Sequence, residues 1–277
     1  MKKRVSRTVS VALWLLLAGP AAAASPPAQT VTAPPGSVVR WGGSGITTCE
    51  SGDRVWAPVA GECWVPVDLL ASGELTASRT GAAGRESLVI RVGPYPYPEQ
   101  RLTVAEHMVH LSAEDQERSR RESRKVAALW QQHTRPRFTL PLDSPLDTMA
   151  PGRAFGARRV FNNEPRSPHS GVDYRAAKGT RVLAAEQGTV LLAEEHFFAG
   201  KSVYLDHGGG LITMYFHLDT IAVTEGQDVK RGQVIGTVGS TGRSTGPHLH
   251  FGVRWLGARV DPAILLNPDS ATRAPGL

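Results

Sequence analysis

The 277 residues hold only two cysteines, Cys49 and Cys63, and no second pair that would complete a four-cysteine zinc ribbon. The apolar run at residues 9–18 is too short to cross a bilayer comfortably. The first 24 residues carry no acid, no twin arginine, and no cysteine at their end, which excludes the marks of twin-arginine export and of a lipoprotein anchor. Beyond them, 27 Lys and Arg face 25 Asp and Glu, so the formal charge of +6 comes mostly from the leader and nucleic acid is not an expected partner. No Lys-Ser or Lys-Thr completes a phosphate loop after Asp206-His207-Gly208-Gly209-Gly210.

What is present then sorts the chain. Lys2, Lys3, Arg4 and Arg7, the apolar run and the small residues 21–24 predict a secretory signal peptide over residues 1–24, hence a periplasmic or extracellular, wall-associated protein with no transmembrane segment after cleavage. Export favours a Cys49–Cys63 disulfide. Residues 25–36, rich in Pro, Ala and Thr, predict a flexible lead-in. Short β-prone runs punctuated by Gly and Pro predict a small antiparallel β domain over residues 37–111. Ser112 and the acids behind it start a charged helix over 112–134, and prolines 136, 141 and 145 mark a linker over 135–149. From 150 to 266, six or more strand-like runs separated by glycine-rich turns predict a second, all-β domain, with 267–277 as a tail.

That second region concentrates the chemistry. In Pro247-His248-Leu249-His250-Phe251-Gly252, period two puts both imidazoles on one face of a strand. Pro168-His169-Ser170-Gly171-Val172-Asp173 adds an imidazole and a carboxylate, and Met214-Tyr215-Phe216-His217-Leu218 adds another imidazole. A catalytic zinc uses three such ligands and leaves a position for water. Two histidines remain to move protons or to steady developing charge.

These three runs resemble the signatures of lysostaphin/LytM-type zinc metallopeptidases, which cut peptide bonds in bacterial peptidoglycan; the likeness covers about residues 152–263. The resemblance implies a mainly β, antiparallel two-sheet catalytic domain with its site in a groove. It implies one Zn2+ per chain on His169, Asp173 and His250, with His217 and His248 in catalysis and peptidoglycan as the partner. Some relatives have lost ligands and only activate other wall hydrolases; no motif position departs from the pattern here. Arg159 and Asn163, just upstream of His169, are candidate substrate contacts. The β region, charged helix and proline segment resemble the amino-terminal part of one exported subgroup, on less specific motifs.

Other matches fail on context. Gly242-Arg243-Ser244-Thr245-Gly246 fits the nucleophile elbow of serine hydrolases, but Pro247 and a β-prone run follow where a helix is required. Glu106-His107-Met108-Val109-His110 lacks the spacing of a zincin helix. A lipoyl-like carrier, suggested by residues 229–236, has no lysine at a clear hairpin tip.

Overall fold

The computed structural model describes residues 28–103, 106, 109–131, 134–152 and 154–275, so the expected signal peptide over residues 1–24, His107 and His133 lie outside the described residues. The β-prone runs of the first hundred residues form β1 (Gln29–Ala33), β2 (Val38–Gly42), β3 (Thr48–Ser51), β4 (Arg54–Trp56), β5 (Glu62–Pro66), β6 (Glu74–Gly81), β7 (Gly84–Val92) and β8 (Glu99–Leu102). Five of them make a sheet in the order β1-β7-β6-β3-β4. Inward side chains of this sheet and of β2 and β5 close a core around Trp41, Val65, Leu88 and Ile90. The Cys49–Cys63 disulfide joins β3 to β5, bridging two sheets within that core.

Two expectations about this region need correction. Residues 29–33 are not a lead-in: β1 runs parallel to β7, pairing Gln29 with Leu88 through Ala33 with Val92. The polar composition hides a strand whose alternate residues Val31 and Ala33 pack inward. The 267–277 tail likewise contains β20 (Thr272–Arg273), which runs parallel to β2 and buries Ala271 and Ala274. The region is therefore not purely antiparallel.

Helix α1 (Ala113–Leu129) starts where expected, with Ser112 Oγ accepting the amide proton of Asp115 at 3.1 Å. No residue of the helix is fully buried. Val126, Leu129 and Trp130 form its one apolar stripe and pack on Leu192, Tyr204, Ile212 and Met214. The proline segment behind it is also not a linker. Phe138, Leu142 and Leu146 are buried, and the backbone hydrogen-bonds to Leu265 and Ala185. Prolines stop regular structure there without loosening the chain, because the segment is a strap pinned by an ion pair between buried Glu186 and partly exposed Arg231. Glu186 accepts from Arg231 and from the amide of Thr139 at 3.0 Å, while Arg231 Nη2 also donates to the carbonyls of Thr139 and Pro141.

Burial opposes ionisation of Glu186, but the Arg231 bond and two backbone amides outweigh it and hold the carboxyl at about 2, below its ordinary 4.5. A depressed carboxyl stabilises the fold above its unfolded pKa, and that contribution fades as the pH falls from 4.5 towards 2. Urea midpoints across that window should show a loss of about 1 to 2 kcal/mol, after discounting for solvent around the partly exposed Arg231. Glu186→Gln should remove most of this acid dependence; an unchanged acid limb would refute the assignment.

The remaining strands are β9 (Arg158–Phe161), β10 (Glu164–Arg166), β11 (Gly171–Arg175), β12 (Arg181–Leu183), β13 (Gly188–His196), β14 (Gly200–Asp206) and β15 (Leu211–Ile221). After these come β16 (Asp228–Val229), β17 (Val234–Val238), β18 (His248–Trp255), β19 (Ala258–Val260) and the short helix α2 (Pro262–Leu266). The mainly β expectation holds. Nine strands form one antiparallel network along β11-β18-β15-β14-β13-β16, with β12, β17 and β19 branching from it. β15 links its parts: up to Phe216 it pairs with β18, and from Leu218 to Ile221 with β17.

The two regions share a core rather than meeting at a joint. Val38, Trp64 and Leu69 belong to the same apolar cluster as Tyr215, Phe251, Trp255 and Leu265. Arg259 donates to both oxygens of Asp68, through Nη2 at 2.5 Å and its backbone amide at 2.8 Å. β8 pairs in parallel with β9 and so runs directly into the peptidase-like region. No helix among the described residues is long and apolar enough to cross a membrane.

Candidate metal centre

Strand pairing assembles the site. β11 lies antiparallel to β18 with Asp173 directly opposite His250 and Arg175 opposite His248. Directly opposed residues share a face, so the carboxylate and the H-x-H imidazoles project together. His169 precedes β11. The glycine of the intervening turn is required, since a Cβ at Gly171 would stand 2.5 Å from His250 Nε2 and 2.6 Å from the Phe251 carbonyl oxygen.

His217 reaches the site by a different device. Phe216 pairs with His250 and stacks on its ring, centroids 5.1 Å apart and planes 4° apart. In a regular strand the next side chain would point to the other face. His217 instead has φ 63°, at the point where β15 exchanges β18 for β17, and its ring lies 4.8 Å from His248 and 6.1 Å from His250. A left-handed backbone at a non-glycine residue is uncommon and is held here by the pairing on both sides.

The first three groups converge on a point. His169 Nε2 lies 2.8 Å from His250 Nδ1 and 3.0 Å from Asp173 Oδ1, and His250 Nδ1 lies 2.9 Å from the same oxygen. His169 Nδ1 faces the Ala154 carbonyl at 2.9 Å, which puts its proton there and leaves Nε2 bare. One proton on His250 Nδ1 would have to serve two acceptors and would leave the other nitrogen of that buried ring bare. A divalent cation among the three atoms satisfies all of them, and two imidazoles with one carboxylate are a suitable donor set. Electrostatics agree. Burial pushes His250 down to about 4, keeping it a neutral lone-pair donor. Burial resists the charge on Asp173, yet the imidazoles of His169 and His250 packed against it hold its carboxyl far below the usual range.

The other two imidazoles are oriented by backbone carbonyls. His217 Nδ1 donates to Thr241 O at 2.9 Å and His248 Nδ1 to Gly246 O at 2.8 Å, leaving Nε2 of each as the acceptor nitrogen. Burial pushes His217 down to about 3, with His250 and His248 adding repulsion. His248 Nε2 stands 3.7 Å from Asp173 Oδ1. A cavity of about 160 Å³ opens over Asp173, His217 and His248, walled by residues 243–245, Arg159 and Phe161. The 239–246 loop thus forms a wall of the groove, as its glycines suggested. A neighbouring cavity of about 500 Å³ continues past His248 to Arg175 and Ala154.

Sequence reasoning missed one wall. Gln100 and Leu102 of β8, assigned to the amino-terminal region, line the cavity at the histidines. No local signal marks them, because their position follows from the parallel pairing of β8 with β9. The carbonyls of Ala154, Thr241 and Gly246 were invisible for a related reason, since they belong to backbone. Arg159 does lie at the site, 3.6 Å from Asp173 Oδ2. Asn163 does not line these cavities. With Asn162 it makes the exposed β9–β10 hairpin tip, at φ 47° and 69°, where asparagine is favoured for its backbone.

Among the described residues, the three remaining histidines have structural partners. His207 is buried between Gln187 O and Thr213 Oγ1, each at 2.7 Å, and His196 bonds Glu194 at 2.8 Å. His110 bridges Glu106 and Glu164. Ser244 of the elbow-like sequence donates to Gly246 O at 2.8 Å, in a loop that leads into a strand. Tyr95 and Tyr97 bond the carbonyls of Gly156 and Pro35, so this aromatic pair braces the loop before His169.

Comparison with known proteins places this geometry. Residues 167–262, which include all five site residues, match the family model for peptidase family M23. Over 122 residues the chain is 41% identical to the peptidoglycan DD-endopeptidase ShyA of Vibrio cholerae, covering 44% of this chain and 28% of that one. Over 100 residues it is 43% identical to the DD-carboxypeptidase/endopeptidase Mpg of Neisseria meningitidis, covering 36% and 23%. The chain thus spans less than a third of the length of these curated relatives. A crystal structure from Pseudomonas aeruginosa assigned to peptidase M23 superposes with a TM-score of 0.65 at 32% identity, over 84% of this chain and 94% of that one. With both the motif-bearing region and most of the fold shared at this level, the chain belongs to peptidase family M23.

Proposed function

We propose that the protein is a zinc-dependent endopeptidase that hydrolyses stem or cross-link peptides of bacterial peptidoglycan. The convergence of His169, Asp173 and His250 on one point beside the His217–His248 pair carries this reading. Zinc bound there supplies Lewis-acid polarisation of the scissile carbonyl and lowers the pKa of water towards about 7. His217 and His248 do the proton work. With Nδ1 of each tied to a carbonyl, Nε2 takes a proton from the attacking water, the resulting imidazolium steadies the oxyanion, and the proton passes to the leaving amine as the C–N bond breaks. The names of the Vibrio and Neisseria relatives support a bond between D-residues as the target. Export through the basic, apolar leader supports access to the wall, and the Cys49–Cys63 bridge fits an oxidising compartment.

Digestion of purified cross-linked muropeptides, followed by mass spectrometry, tests the reading. Cross-linked dimers should become monomers with the glycan unchanged, and a chelator should stop the reaction. Dimers left intact by metal-loaded protein would refute it.

A further inference from the structure

The groove wall contributed by β8 and β9 is built in rows. Parallel pairing sets Gln100 beside Arg159 and Leu102 beside Phe161, and because paired residues share a face, all four line the cavity over the histidines. Gln100 also lines the larger neighbouring cavity, as do Asp173, Thr245 and His248. It therefore stands where the two cavities join. A chain lying along the groove past the metal centre runs beside it.

The polar row is incomplete. Gln100 Oε1 and Arg159 Nε are both buried, and neither has a hydrogen-bond partner among the described residues. Although their residues are cross-strand neighbours, the two atoms do not bond each other. Buried polar atoms are nearly always paired, because an unpaired one has lost its water without replacement. Here one acceptor and one donor are left over on adjacent strands. The missing partner must offer an N–H to the first and a lone pair to the second. A carboxylate fails the first requirement and an ammonium the second. The charge of Arg159 is moreover already met by Asp173, whose Oδ2 lies 3.6 Å from Nη2. A secondary amide meets both requirements with one neutral group.

We infer that Gln100 and Arg159 clamp a peptide unit of the substrate next to the scissile bond, so that the amino-terminal region supplies a specificity-determining residue to the site. The inference rests on the peptidase reading above and adds a recognition step to it. Arg159 Nε is two bonds from the Nη2 that reaches Asp173, and an extended peptide advances about 3.3 Å per residue, so a unit held there is one removed from the reacting carbonyl. The terminal torsion of a glutamine is soft, and a turn of the carboxamide presents Oε1 to the cavity that the residue lines.

Calorimetric titration of the zinc-loaded protein with synthetic cross-linked stem peptides, the scissile carbonyl reduced to CH2, reads the clamp without cleavage. Each of the two peptide units flanking that position is replaced in turn by an ester, which has no N–H. The peptides carry no sugar, so an acetamide of the glycan cannot stand in. At one of the two positions the ester should weaken binding about five- to tenfold. Gln100→Leu should bring amide and ester to within about twofold of each other, and Gln100→Ala should do the same. Each ratio is taken within one protein, so a variant that is merely less well folded lowers both affinities and leaves the ratio. Equal affinity of amide and ester at both positions in the parent would overturn the clamp, as would a difference that survives unchanged in the two variants. Failure of the parent to cleave the unreduced peptide would instead overturn the peptidase reading, leaving the ester ratio to decide the clamp.

Discussion

Asp173→Ala and His250→Ala are expected to reduce bound metal from about one ion per chain to a small fraction of that and to reduce turnover to background. Removing either group leaves two protein donors, too few for a stable open tetrahedral site. His169→Ala should behave alike, because its Nε2 stands within 3.0 Å of both other donor atoms. Elemental analysis of dialysed, folded protein checks the metal, and muropeptide cleavage checks the activity. Near-normal cleavage by Asp173→Ala in metal-free buffer would overturn the metallopeptidase assignment for these residues.

The second large effect separates proton transfer from metal binding. His217→Ala and His248→Ala should each reduce turnover by about 10² to 10⁴ while metal content stays near one per chain. Their Nδ1 atoms are committed to Thr241 and Gly246 carbonyls, and neither ring completes the donor triangle. Loss of metal on replacing His248 would show that the two histidines of the H-x-H pair had been assigned in the wrong order. Retained metal with unchanged turnover in both variants would remove them from the mechanism.

How far these residues could be read without coordinates depended on the range of the interaction that places them. His248 and His250 were legible because strand periodicity is local: two residues always bring a side chain back to the same face. The position of Asp173 opposite His250 was not, since it is set by the register between β11 and β18, 77 positions apart in the chain. β11 carries little strand signal of its own, being short and opened by a glycine. His217 was found through its motif rather than its pattern. A regular strand would have turned it away, and only its positive φ brings it in. Proline and threonine content misled over residues 29–33, as proline content did in the strap, where parallel pairing and buried Phe138, Leu142 and Leu146 fix segments that composition marks as loose.

The pairing of β20 with β2 also sets an order of assembly. Val39 finds Thr272 as its partner, 233 positions later, whereas Cys49 and Cys63 are separated by 14. By chain statistics alone, closing the longer loop costs about 2.5 kcal/mol more than the shorter one. During vectorial synthesis or translocation, the cysteines can meet as soon as both have emerged, while one edge of β2 stays unpaired until residues 272 and 273 have followed. That exposed edge is a template for wrong partners in the interval. A chaperone that holds extended segments would therefore act most usefully on β2 in that interval, and the arrival of β20 would release it.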